Sequence, residues 1–127
     1  MREITKTVSI SIDGKPMDFG LTKLDAFSGA ALLRMLSTMP EGENVANLFS
    51  WLSDKDLRSL MAACLEHTEV QLPAGWNPVM TRGEWSYPEL EHDTATCLKL
   101  TIEEVLWTLE GFFGERVSGS RSATPDT

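Results

Sequence analysis

The chain has 127 residues, a net charge of -8, 42% hydrophobic and 24% charged residues, which suits one domain with a core of its own. The charge is uneven: residues 1–40 hold five Lys/Arg against four Asp/Glu, and residues 41–127 hold six against fifteen. A field of that sign repels phosphate and argues against nucleic acid as a partner, and two cysteines are too few for a disulfide scaffold.

The opening MREITKTVSI lacks the apolar core and cleavage site of a signal peptide, so it reads as a mature cytoplasmic N-terminus. Val8, Ile10 and Ile12 then alternate with Thr7, Ser9 and Ser11, the period of a half-buried strand over Thr5–Ile12. Asp13-Gly14 supplies a tight turn, and a second strand over Pro16–Leu21 pairs back, with Met17, Phe19 and Leu21 on one face. A lone hairpin is marginally stable, so its apolar face must lie on helices.

From Asp25 to Thr38 the period is helical, with Leu32, Met35, Leu36 and Met39 at i, i+3, i+4 and i+7. Phe27, Ala30, Ala31 and Leu33 widen that surface, which predicts a largely buried helix. Asn47–Leu52 reads as a short helical turn. Ser53 is a good N-cap for a helix whose stripe is Leu57, Leu60, Met61, Cys64 and Leu65. Val70–Leu72 is expected to be extended. Pro73–Pro88, PAGWNPVMTRGEWSYP, follows no period and reads as a long functional or mobile loop. Glu89–Leu100 is expected to be partly helical. Thr101-Ile102-Glu103-Glu104 has the form of a capping box, opening a last helix that Gly114 ends. Val117–Thr127 has too little apolar content to offset its ordering entropy, so the expected domain is 1–116 with a disordered tail at 117–127.

No catalytic signature stands out. Cys64, His67, His92 and Cys97 are enough for a tetrahedral zinc site, but Cys64 also lies in an apolar stripe, where a core cysteine belongs. Glu84, Glu89, Glu91, His92 and Asp93 are close in sequence without a diagnostic spacing for acid–base work. No nucleophile elbow or phosphate loop is present, and the last helix is too acidic for a membrane surface. The expectation is a non-enzyme without cofactor or metal.

The aromatic residues are the better candidates. Trp107 falls nearly opposite the centre of the stripe formed by Ile102, Val105, Leu106, Leu109, Phe112 and Phe113. It is either covered by a second layer, such as the Trp-rich loop, or a partner anchor of the kind tryptophan often provides. Trp76 and Trp85 carry the same two readings, and Trp51 is assigned to the core.

The block VSISIDGKPMDFGLTKLDAFSGAALLRML resembles the start of tail assembly chaperones of long-tailed phages and prophages: a hairpin around Asp-Gly-Lys, then Leu-Thr-Lys-Leu and a helix opened by Asp-Ala-Phe. The closing LKLTIEEVLWTLEGFFGE is similar to their capped last helix with paired phenylalanines, and the pattern covers most of residues 4–116. The resemblance implies a non-enzymatic protein that binds the tape-measure protein and helps recruit tail-tube subunits. It also implies a protein that acts in the bacterial cytoplasm and leaves before the virion is mature. Many members have a second, longer form made by frameshift, for which the Ser/Gly/Thr tail would be a stub or linker. The expected fold is α+β, an N-terminal β-hairpin packed on three to four α-helices. The expected partner-binding residues are Trp107, Trp76, Trp85 and Phe112, with self-association left open. Two alternatives stand beside this: a structural virion protein of the tail-tube or head–tail connector kind, and a small zinc protein.

Overall fold

In the computed structural model the described residues are 4–123, with side chains described as far as residue 110. The alternating segment is strand β1 (Thr5–Ile12), paired antiparallel with β2 (Lys15–Thr22) so that Val8 faces Phe19 and Ile10 faces Met17. Asp13 and Gly14 have φ of 53° and 81°, the two left-handed residues of a type I′ turn. The hairpin is half of a larger sheet. β3 (Thr68–Leu72) adds to β2, and β4 (Gly75–Pro78) adds to β3, in the order β1-β2-β3-β4. Its inner face carries Ile10, Phe19, Leu21 and Val70, all buried, and its outer face carries Ser9, Ser11, Asp18 and Gln71, all exposed.

The stretch read as a long functional or mobile loop, 73–88, is half strand. Besides β4 it forms a small hairpin of β5 (Met80–Thr81) and β6 (Glu84–Trp85). Strands of two to four residues are too short to display a period. The turn between them, Arg82-Gly83 with φ of 52° and 80°, puts arginine where Asn or Asp is the usual signal. Pro78 sits on the edge strand, where its missing N–H costs no ladder bond.

Helix α1 (Ala26–Leu36) starts at Asp25, whose carboxylate accepts the Ser28 N–H at 2.7 Å. It is not largely buried, as its composition predicts: Leu32 is buried, Phe27 is 89% exposed, and Ala30 and Ala31 face solvent. The reason is that the space under the sheet is taken by other helices. A 3-10 turn (Val45–Asn47) and the single turn α2 (Leu48–Trp51) lead to α3 (Asp54–Glu66), where Ser53 accepts the Asp56 N–H as the cap.

Helix α4 (Thr94–Ala123) follows a 3-10 turn at Pro88–Leu90. Asp93 holds its start, accepting the Thr96 N–H at 3.1 Å and the Thr96 hydroxyl at 2.8 Å. The capping box at Thr101 does not open a helix. Thr101 lies inside α4, fully buried, with its hydroxyl donating to the Cys97 carbonyl at 2.8 Å. A hydroxyl satisfied one turn back can sit mid-helix as well as cap one. The backbone also stays helical past Gly114, so the expected tail at 117–127 overlaps the last helical residues, and 124–127 lie outside the described residues.

Two apolar clusters result, and α3 and α4 contribute to both. Phe19, Leu21, Leu65, Val70, Leu100 and Trp107 belong to the one beneath the sheet. Leu24, Leu32, Leu48, Leu60, Val105 and Leu109 belong to the one under α1 and α2. Phe19→Ala should therefore cost about 3–5 kcal/mol in chemical denaturation. Phe27→Ala, on the solvent side of α1, should change stability by less than about 0.5 kcal/mol.

Candidate partner-binding groove

The structure does not bring the four aromatic candidates together. Trp107 is 8% exposed and packs in the cluster under the sheet. Lys6 of β1 and Lys23 just after β2 lie over its ring. Lys6 is opposite Leu21 on the inner face, and the Lys6 and Lys23 ammonium groups lie 5.9 and 5.2 Å from the indole centroid, a favourable cation–π arrangement. Trp107 is therefore core and not an exposed anchor. Leu106, expected in the buried stripe, is instead exposed. Burial of α4 on two sides shifts its solvent window to that position.

Trp76 lies on the outer face of the sheet, opposite Gln71 and half exposed. Its ring rests on Gly20, where a Cβ would stand 3.3 Å from the indole Cζ3. The close approach favours glycine there, since a Cβ would push the ring by a few tenths of an ångström, and the contact seats Trp76 on β2 across β3. The side chain of Phe112 lies outside the described residues.

Trp85 has a different setting. β5–β6 pairing places it directly opposite Met80, and both line a groove of about 670 Å³ between α3, the small hairpin and the start of α4. The floor is apolar and buried: Leu65, Met80 and Cys97. The walls are half-buried Leu57, Met61 and Trp85. Charge is confined to the exposed rim, at Asp54, Arg58 and Glu91. The hairpin wall is tied down by the Gly83 N–H donating to Glu66 at 2.7 Å and by the Val79 N–H donating to the Thr68 carbonyl at 3.0 Å. Sequence reasoning named Trp85 but missed the groove, because Met80 sat in a stretch without a period and Met61 looked like ordinary core.

The groove is suited to apolar contact. Burial, with Asp93 adding to it, pushes the Cys97 thiol up to about 11, far from a nucleophilic thiolate. Cys64 is raised as well, by burial and then by Glu104. Both cysteines are free, and they belong to different core clusters. His67 turns its Nδ1 to the Ala63 carbonyl at 2.8 Å. Among the described residues no group of three or more His, Cys, Asp or Glu is placed to hold a metal, so the four zinc candidates are not assembled. Glu84, Glu89, Glu91 and His92 are exposed. No helix among the described residues is long and apolar enough to cross a membrane.

One buried acid stands apart. Glu104 is fully buried on α4, and neither carboxyl oxygen has a hydrogen-bond partner among the described residues, nor does the Thr108 hydroxyl one turn on. Desolvation pushes its pKa from 4.5 up to about 8, so the group is mostly neutral at pH 7.

No known family's model matches the chain, and neither the curated proteins nor the solved structures contain a match.

Trp107→Ala should destabilise the fold by about 3–5 kcal/mol in urea titration. Because the folded Glu104 holds a proton that the unfolded chain releases above about pH 4.5, its contribution to stability is fully present below that pH. It falls away as pH rises toward 8. Glu104→Gln should therefore flatten the pH dependence and raise stability at pH 8.5 by on the order of a few kcal/mol, with little change at pH 4. Urea unfolding at the two pH values checks this.

Proposed function

We propose that this protein is a phage or prophage tail assembly chaperone, which binds helical segments of the tape-measure protein reversibly and holds them soluble until the tail tube forms around them. The observation that carries the reading is the open groove walled by Leu57, Met61 and Trp85 over a floor of Leu65 and Met80. A chain with long apolar helical stripes needs such a surface, and flexible methionines let one groove accept several stripes in turn. The net charge of -8 would keep the pair in solution.

The two sequence blocks that resemble this family support the reading from another side. They fall on the β1–β2 hairpin with the whole of α1, and on the part of α4 that holds Trp107. On this reading the protein works in the bacterial cytoplasm, with no covalent step, and is absent from finished particles. Trp85 becomes the contact residue of choice among the four aromatic candidates, and Trp76 a secondary one on the outer face of the sheet.

Co-expression with the long helical protein encoded beside it, followed by tagged pull-down and size-exclusion chromatography, tests the proposal. The expected outcome is a soluble co-eluting complex, with the partner insoluble when made alone and this chain missing from purified tails. Retention in purified tails without such a complex would overturn it in favour of a structural subunit.

A further inference from the structure

From the charge around the groove we infer which helices it accepts: amphipathic ones whose apolar stripe is flanked by lysine and arginine. The inference rests on the chaperone reading only for the identity of the protein that supplies the helix. Two chain segments enclose most of the groove, residues 54–66 and 80–94, and of the seven Asp/Glu and three Lys/Arg they carry, Asp54, Glu91 and Arg58 line it. None of that charge reaches the floor, which is Leu65, Met80 and Cys97. A ligand must therefore be apolar where it enters and basic where it meets the rim, at Asp54 and Glu91.

The form of the ligand follows from the walls. A small polar molecule needs several polar groups converging on it from the lining, and here they stand apart on the rim. An added strand needs an open sheet edge, and the groove is walled by side chains of α3 and of a hairpin only two residue pairs long. A helix satisfies its own backbone and offers side chains at i, i+3, i+4 and i+7, which is what a trough of half-buried apolar side chains can receive. A second copy of this chain would meet the rim with like charge through residues 41–127, six basic against fifteen acidic, and could offer only α1, from the half with five basic against four acidic; a dimer of the chain alone that the Lys-flanked peptide fails to displace would overturn the inference. Arg58 is the basic residue among those lining the groove, so it lowers the local preference for basic partners. Reversing it should sharpen the selection.

The test uses the full chain and two labelled helical peptides of about 18 residues. They share one Leu/Met stripe and differ in carrying Lys or Glu on the flanks. Binding is read by fluorescence anisotropy at low and high salt, and the site by 13C-methyl NMR of the methionines. The Lys-flanked peptide should bind about tenfold tighter or more at low salt, with the advantage shrinking as salt rises, and should shift the Met61 and Met80 methyl signals. Asp54→Lys with Glu91→Lys should reverse the preference. Arg58→Glu should strengthen binding of the Lys-flanked peptide, a gain that misfolding cannot mimic. Equal affinity for the two peptides, or binding that leaves the Met61 and Met80 methyls unmoved, would overturn the inference. If the rim variants leave the complex with the tape-measure protein intact, the groove assignment is overturned while the chaperone reading stands. If the peptides behave as expected and no tape-measure complex forms, the groove assignment stands and the chaperone reading is overturned.

Discussion

Helix α4 has to be covered on two sides, and the rest of the molecule is arranged by that need. One side sends Cys97, Leu100 and Trp107 beneath the sheet, and another sends Val105 and Leu109 toward α1 and α2. A helix apolar on one stripe needs one neighbour, and a helix apolar on two needs a layer on each. The sheet and α3 supply one layer, and α1, α2 and the other face of α3 supply the second. The buried Glu104 is the cost of this position, a polar group on the helix with no solvent window of its own.

The groove follows from the same arrangement. The small β5–β6 hairpin lies beside α3 and the start of α4, and the groove runs between the three. That hairpin is too short to fill the gap, so it walls a trough instead. It is attached by one backbone N–H on Glu66, one on the Thr68 carbonyl, and the burial of Val79 and Met80 in the core beneath the sheet. Hairpins of this size gain their order from what they rest on. Met80 and Trp85 thus stand on a backbone held at its base by the Val79 N–H and at its tip by the Gly83 N–H, and the flexible thioether of Met80 is the part of the wall that can adjust to different side chains.

Much of the fold was legible because its strong local signals agree with the tertiary structure. The alternation at Val8, Ile10 and Ile12, the Asp-Gly turn and the Ser53 cap each have one structural reading, and each is found. The errors arose where one residue type serves two purposes. Thr101 followed by Glu104 has the form of a cap, but both are buried inside a continuous helix. Phe27 and the alanines after it read as core, yet the core was already full. Trp107 was singled out from its place on the wheel, and only the second packing layer shows why a tryptophan sits there. The groove itself was not readable, since it is assembled from three segments distant in sequence, and, Trp85 aside, the signals its residues carried pointed elsewhere: Cys97 to zinc, Glu91 to acid–base work, Leu57 and Met61 to ordinary core.

The exposure of α1 has a further consequence, for the order in which the molecule opens. Its hold on the domain is one buried side chain, Leu32, with Leu33, Met35 and Leu36 half buried against the second cluster. α3 and α4 cannot leave without dissolving both clusters, whereas α1 can lift away and leave the sheet, α4 and the groove standing. Local opening of that kind needs only a fraction of the global unfolding free energy. The backbone amides of α1 should therefore exchange with solvent before those of α3, and this protein is best pictured as a sheet-and-helix frame with one loosely moored apolar helix on its surface.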